Sequence, residues 1–209
     1  MKPYYQDDYV TIYNCRCEDI LGELPKVDLV LTDPPWNLGY FKDDDKPWEE
    51  YAQWLETFKQ LFNSLSDNTI IFQSTKAIPY VAHLFKGWEM FSSLKNFCQM
   101  TPKKLPNAFD LAFIKNSEKY LGKGRNWHLA NNANLANSQT GHPTSRPLDC
   151  IKYLISLYDY NTILDPFAGS CTTGRAAKDL NRKCICIECE EKFAEIGAKR
   201  MCQEVMNFN

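Results

Sequence analysis

Asp33-Pro34-Pro35-Trp36 follows the almost wholly apolar run Val27-Asp28-Leu29-Val30-Leu31-Thr32. Such a run reads as a strand buried on both faces of a sheet, and it ends in an acid, two prolines and an aromatic ring. The prolines fix φ and stiffen the turn. The Asp33 carboxylate and the Pro34 carbonyl are hydrogen-bond acceptors, and Trp36 offers a flat stacking face. Acceptors beside an aromatic plane suit a flat ring that carries an exocyclic amine. Read alone, the same residues also describe a strand-ending Pro-Pro turn with a surface tryptophan.

A second stretch, Asp165-Pro166-Phe167-Ala168-Gly169-Ser170-Cys171-Thr172-Thr173-Gly174, follows another apolar strand and opens a helix. Gly169 and Ser170 let a ligand approach the backbone, and a helix N-terminus supplies unpaired N–H groups. Glu188 stands 23 residues after Asp165, at the end of the next strand. An acid there can accept both hydroxyls of a ribose. No Gly-Lys-Ser/Thr follows the turn, which excludes a P-loop.

These loops need a frame, and the spacing of apolar residues supplies one. Strands are expected at Val10–Cys15, Val27–Thr32, Thr69–Phe72, Glu89–Phe97, Phe109–Lys115, Thr162–Asp165 and Lys183–Glu188. Helices are expected at Glu18–Leu24, Trp48–Leu65, Ala77–Phe85, Pro147–Tyr158, Thr172–Leu180 and Lys192–Val205. Residues 116–145 carry Asn, Gly, Ser and Lys without a period and read as a loop of functional length. Strands alternating with helices predict an α/β fold with a doubly wound, mostly parallel sheet. The 209 residues fit a single domain over 1–209.

Hydrophobic content of 44%, charge of 24% and a net charge of −2 are those of an ordinary globular chain. Charge is unevenly spread: residues 1–60 hold 13 acidic and 6 basic side chains, residues 95–125 hold 7 basic and 2 acidic. The basic middle is a candidate phosphate-facing surface, or else a solvated one. No apolar run reaches the ~20 residues that span a bilayer, so no membrane partner is expected. The first residues lack a signal-peptide core, and a cytoplasmic protein with reduced thiols is expected. Cys184 and Cys186 alternate within a strand and would share one buried face; no metal is expected there.

The stretch Asp165–Gly174 resembles motif I of the β-type S-adenosylmethionine-dependent DNA amino-methyltransferases, commonly DPFxGSGTT. Gly141-His142-Pro143-Thr144-Ser145-Arg146-Pro147-Leu148 resembles that family's HPTQKP segment, and Asp33–Trp36 its catalytic motif. Asp33 and Asp165 lie 132 residues apart in the family's order, so the likeness covers nearly the whole chain. It implies S-adenosylmethionine as cofactor, held by Asp165, Pro166, Phe167, Gly169, Ser170, Thr172, Glu188, His142, Thr144 and Arg146. It also implies catalysis by Asp33, Pro34, Pro35 and Trp36 on a nucleobase of double-stranded DNA. The base would be flipped from the duplex, at a cost of roughly a few kcal/mol.

Three departures stand out. Cys171 replaces the last glycine of the family turn, where a positive φ would be strained. Ser145-Arg146 replaces Gln-Lys and keeps the cation. Arg16 stands where an Asp that reads the cofactor's adenine amine is often found.

An Asp at the first catalytic position is commoner in the family's adenine-N6 enzymes, so the leading expectation is site-specific adenine-N6 methylation, as in restriction-modification. Cytosine-N4 methylation and a catalytically silent DNA-binding homologue are the alternatives. A small target-recognition segment is expected at 95–139, with Lys103, Lys104, Lys119, Lys123 and Arg125 on phosphates. Family members are often dimers, and a homodimer is compatible with the likeness.

Overall fold

The computed structural model of the chain describes residues 1–39, 44–95, 108–116, 119–130 and 145–203. Among them the strands are β1 (Tyr5–Gln6), β2 (Val10–Asn14), β3 (Leu29–Thr32), β4 (Thr69–Gln73), β5 (Glu89–Lys95), β6 (Phe109–Lys115), β7 (Trp127–Ala130), β8 (Thr162–Asp165) and β9 (Lys183–Glu188). The helices are α1 (Trp48–Leu65), α2 (Ile78–Val81), α3 (Leu148–Ser156), α4 (Thr172–Asp179) and α5 (Glu191–Met201). All the strands join one sheet in the order β1-β2-β9-β8-β3-β4-β6-β5-β7. The centre β2-β9-β8-β3-β4 is parallel, β6 is antiparallel to both neighbours, and β7 runs parallel to β5.

Alternation along the central strands makes the two layers. Leu29 and Leu31 of β3, Ile163 of β8, and Cys184 and Cys186 of β9 face a core built with Ile151 and Leu154 of α3, Ala176 of α4 and Ala194 of α5. Val30, Leu164 and Ile187 face the other core, with Leu55, Phe58 and Phe62 of α1. Every residue of β3 and β4 is buried, which is why they read as continuous apolar runs. The expected sharing of one face by Cys184 and Cys186 holds; their sulfurs lie 3.7 Å apart.

Two expected helices differ from the sequence reading. Glu18–Leu24 is a pair of 3₁₀ turns, Cys17–Asp19 and Leu21–Glu23, and Ala77–Phe85 is the single turn α2 followed by a 3₁₀ turn. Each stretch is too short to carry a helical apolar stripe, so local tertiary contacts set its geometry. The loop expected at 116–145 contains β7, whose backbone pairs with β5 from Ser92↔Trp127 to Lys95↔Ala130. β6 pairs with β4 along its length, so the two strands described within 95–139, β6 and β7, are built into the sheet.

β3 and β8 are neighbours, yet the chain leaves them in opposite directions. From β3 it passes through α1 to β4; from β8 it passes through α4 to β9 on the other side. That reversal opens a crevice at the strands' C-terminal ends, where open α/β sheets bind ligands.

Candidate active site

Asp33–Trp36 leaves the end of β3 and Pro166–Ser170 leaves the end of β8, so adjacent strands deliver both loops to the crevice. Asp33, Pro34, Pro35, Trp36, Asp165, Pro166, Phe167, Gly169, Ser170, Thr172 and Glu188 line one cavity of about 460 Å³. That volume lies within the ~300–1,000 Å³ usual for small-molecule sites.

The first loop is pinned from several sides. The Tyr51 hydroxyl of α1 lies 3.0 Å from the Pro35 carbonyl, to which it donates, and 3.2 Å from the side chain of Gln73 at the end of β4. Asn37, at φ 59°, closes the loop by exchanging side-chain bonds with the backbone N–H and C=O of Lys46 at 2.6 and 2.7 Å. The Asp44 carboxylate accepts from the Asn37 N–H. Tyr51 reads from sequence as one more residue of an apolar helical stripe; its reach to Pro35 emerges only when α1 lies on the sheet.

The glycine turn is held as firmly. Asp165 accepts from the Thr32 hydroxyl at 3.0 Å and from the Phe167 N–H at 3.2 Å. Burial raises its pKa to about 7 against the lowering effect of the bonds from Thr173, Thr32 and Phe167. Glu188 accepts from the Gly169 and Glu190 N–H groups, both at 2.7 Å, and burial pushes its carboxyl above the ordinary value despite them. Arg200 of α5 donates to the Ser170 carbonyl at 2.6 Å and to the Thr172 hydroxyl at 3.1 Å. Cys171, the N-cap of α4, adopts φ 57° and ψ 43°, the left-handed conformation for which the family glycine is suited.

Arg146 lines the same cavity, but its guanidinium reaches the Asp33 loop. Nε and Nη2 donate to the two oxygens of Asp33 at 2.7 and 3.2 Å, and Nη1 to Asp110 of β6 at 2.5 Å. It also lies 4.4 Å from the centroid of the Trp36 ring. Burial raises the Asp33 pKa and the nearby Arg146 charge pulls it back. Sequence reasoning missed Asp110; its one signal is an acid within the otherwise apolar run Phe109–Ile114.

The proposed phosphate contacts among the described residues, Lys119, Lys123 and Arg125, do not line the cavity. Lys119 pairs at 3.2 Å with Asp28, which precedes β3 at the strand's N-terminal end, opposite the crevice. Lys123 and Arg125 belong to the same stretch, which packs on the far end of α3 through Leu121 N–H to the Leu157 carbonyl at 2.9 Å and Arg125 N–H to the Tyr153 hydroxyl at 2.5 Å. Lys103, Lys104, His142 and Thr144 lie outside the described residues.

A nucleoside with a charged tail fits these walls. Glu188 and the Gly169 turn stand side by side. Arg16, which takes the place of the family acid, pairs at 3.1 Å with Glu18, and both line the cavity. Two loops over a strand-switch crevice, one acidic and aromatic, the other glycine-bearing, define a group-transfer site of Rossmann-like type.

Residues 95–199 match the model of the DNA methylase family N6_N4_Mtase. The chain is 30% identical to the Type II methyltransferase M.BglII of Bacillus subtilis, a match covering 89% of this chain and 67% of the relative. Among solved structures, that of M1.HpyAVI with SAM aligns with a TM-score of 0.69 and 25% identity, over 93% of this chain and 100% of the other. The PvuII DNA methyltransferase, described as cytosine-N4-specific, shares the fold at a TM-score of 0.77 and 18% identity, over 99% and 91% of the two chains. The chain belongs to the S-adenosylmethionine-dependent DNA amino-methyltransferases of the N6-adenine or N4-cytosine class.

Proposed function

We propose that this chain methylates the N6 amine of adenine in DNA, with Asp33 and the Pro34 carbonyl as acceptors for the amine and Trp36 as its stacking face. The observation that carries the reading is the convergence of the Asp33 loop and the Gly169 turn on one cavity. Bound S-adenosylmethionine supplies a sulfonium methyl that a nitrogen lone pair can attack.

An exocyclic amine is a poor nucleophile because its lone pair is delocalised into the ring. Acceptors on both N–H bonds draw the nitrogen toward tetrahedral geometry and aim the freed lone pair out of the ring plane. Positioning and electrostatics then supply the acceleration without a covalent enzyme intermediate. The Tyr51 bond to Pro35 and the Asn37 clip onto Lys46 hold that geometry before substrate arrives. On the cofactor side, Glu188 suits the ribose hydroxyls, while Ser170 and Thr172, fixed by Arg200, suit the chain beyond them.

Asp at the first position of the catalytic motif supports adenine. Cytosine N4 is the second reading, supported by the cytosine-N4-specific description of a structural neighbour. Mass spectrometry of nucleosides from DNA methylated by the purified protein tests both. N6-methyl-2′-deoxyadenosine is the expected product, and N4-methyl-2′-deoxycytidine alone would replace the reading. Calorimetry with S-adenosylmethionine tests the silent alternative, for which no heat of binding at millimolar ligand would speak.

A further inference from the structure

Arg146 occupies the two residues, Asp33 and Trp36, that the proposed function gives to the target base. Its guanidinium is flat, points two N–H donors at the two oxygens of Asp33, and lies 4.4 Å from the Trp36 centroid and 5.0 Å from that of Phe72. A flipped aminopurine or aminopyrimidine is likewise flat, donates from an amine and stacks. Its third arm holds Asp110, a buried carboxylate that also receives Lys95 at 3.3 Å. Lys95, Asp110, Arg146 and Asp33 thus form a chain of alternating charge, in which Arg146 bridges the two acids.

We propose that Arg146 is an internal surrogate for the target amine, and that Asp110 is the positioning residue that retains the guanidinium when a base displaces it from Asp33. The proposal rests on the reading of Asp33 as the amine acceptor. A buried cation stripped of every carboxylate is strongly disfavoured. Exchange with a neutral amine is therefore feasible only if a second acid stays attached. Asp110 is that acid, and its position on β6, beyond β4 from the catalytic loop, lets Arg146 withdraw from Asp33 without leaving its partner. Between target sites the surrogate also keeps a charged, desolvated Asp33 paired.

The test uses steady-state transfer of tritiated methyl groups to unmethylated genomic DNA, with S-adenosylhomocysteine calorimetry and thermal unfolding on the same proteins. Arg146→Lys keeps the charge and loses the planar fork, so the base meets a weaker competitor and KM for DNA falls severalfold. Asp110→Asn removes the retaining carboxylate, so displacement becomes harder and KM for DNA rises about tenfold. S-adenosylhomocysteine affinity stays within about twofold for Asp110→Asn, at a residue outside the cavity lining.

Opposite movements of KM are something a purely structural strut would not give. Movement in the same direction, a loss confined to kcat, or parallel losses of S-adenosylhomocysteine binding and thermal midpoint would overturn the proposal. Asp33→Ala separates the two layers. If that variant still methylates, the catalytic assignment itself fails. If it is inactive while the KM values do not split, only the surrogate role fails.

Discussion

The Thr32 hydroxyl donates to the Asp165 carboxylate at 3.0 Å, so the residue before Asp33 holds the first acid of the glycine turn. The bond crosses from β3 to β8 at the crevice and ties the two halves of the site together. Asp165 titrates at about 7 when folded against an ordinary 3.8, because burial outweighs its hydrogen bonds. A raised folded value means that this carboxyl's contribution to stability is complete below pH ~4 and is lost as pH rises through ~7. Thr32→Val removes a donor to the ionised form. It should cost about 1–2 kcal/mol, more at pH 8 than at pH 6, as read by urea unfolding at both pH values.

Asp165→Asn keeps an oxygen acceptor for Thr32 and Phe167 but cannot ionise. The difference in unfolding free energy between this variant and the natural chain should move in the variant's favour by roughly 2–4 kcal/mol from pH 5 to pH 8. A difference that stays flat with pH would show that Asp165 does not titrate in that range.

Asp33→Ala should reduce methyl transfer by at least ~10³-fold, the scale of losing a preorganised electrostatic contact. S-adenosylmethionine binding by calorimetry should persist, because the Gly169 turn and Glu188 are untouched. Turnover like that of the natural chain would remove Asp33 from the mechanism.

Tyr51→Phe deletes the hydroxyl that reaches both Pro35 and Gln73 at 3.0 and 3.2 Å, while its ring stays in the core of α1. The expected result is a fall in kcat of about tenfold with cofactor affinity retained, the cost of a loosened loop rather than a lost contact to substrate. Stopped-flow single-turnover rates would locate the loss in the transfer step.

A methyl group added at Gly197 of α5 would lie 2.5 Å from the Cys171 sulfur and 3.0 Å from its Cβ. Gly197→Ala should therefore destabilise the fold by about 1–3 kcal/mol. Cys171→Gly removes both the clash and the left-handed strain at φ 57°, so the double variant should recover much of the loss. Additive losses in a double-mutant cycle would mean that Cys171 is not the obstacle.

The order of strands and helices was legible because buried parallel strands write themselves as unbroken apolar runs, as Leu29–Thr32 and Thr162–Asp165 do. The two loops were legible because a switch crevice needs unusual residues, prolines and an acid on one side, small residues on the other. Even the strain at Cys171 followed from a side chain standing where the family turn has glycine. The sequence could not show that Arg146 leans on Asp33, that Tyr51 reaches Pro35, or that Lys119 faces away from the cavity. Each of those depends on which strands become neighbours and how helices lie across them, and pairing between residues 16 to 113 positions apart leaves no periodic trace in the chain. Local patterns specified the parts and the ends of the strands; packing alone decided which charge meets which.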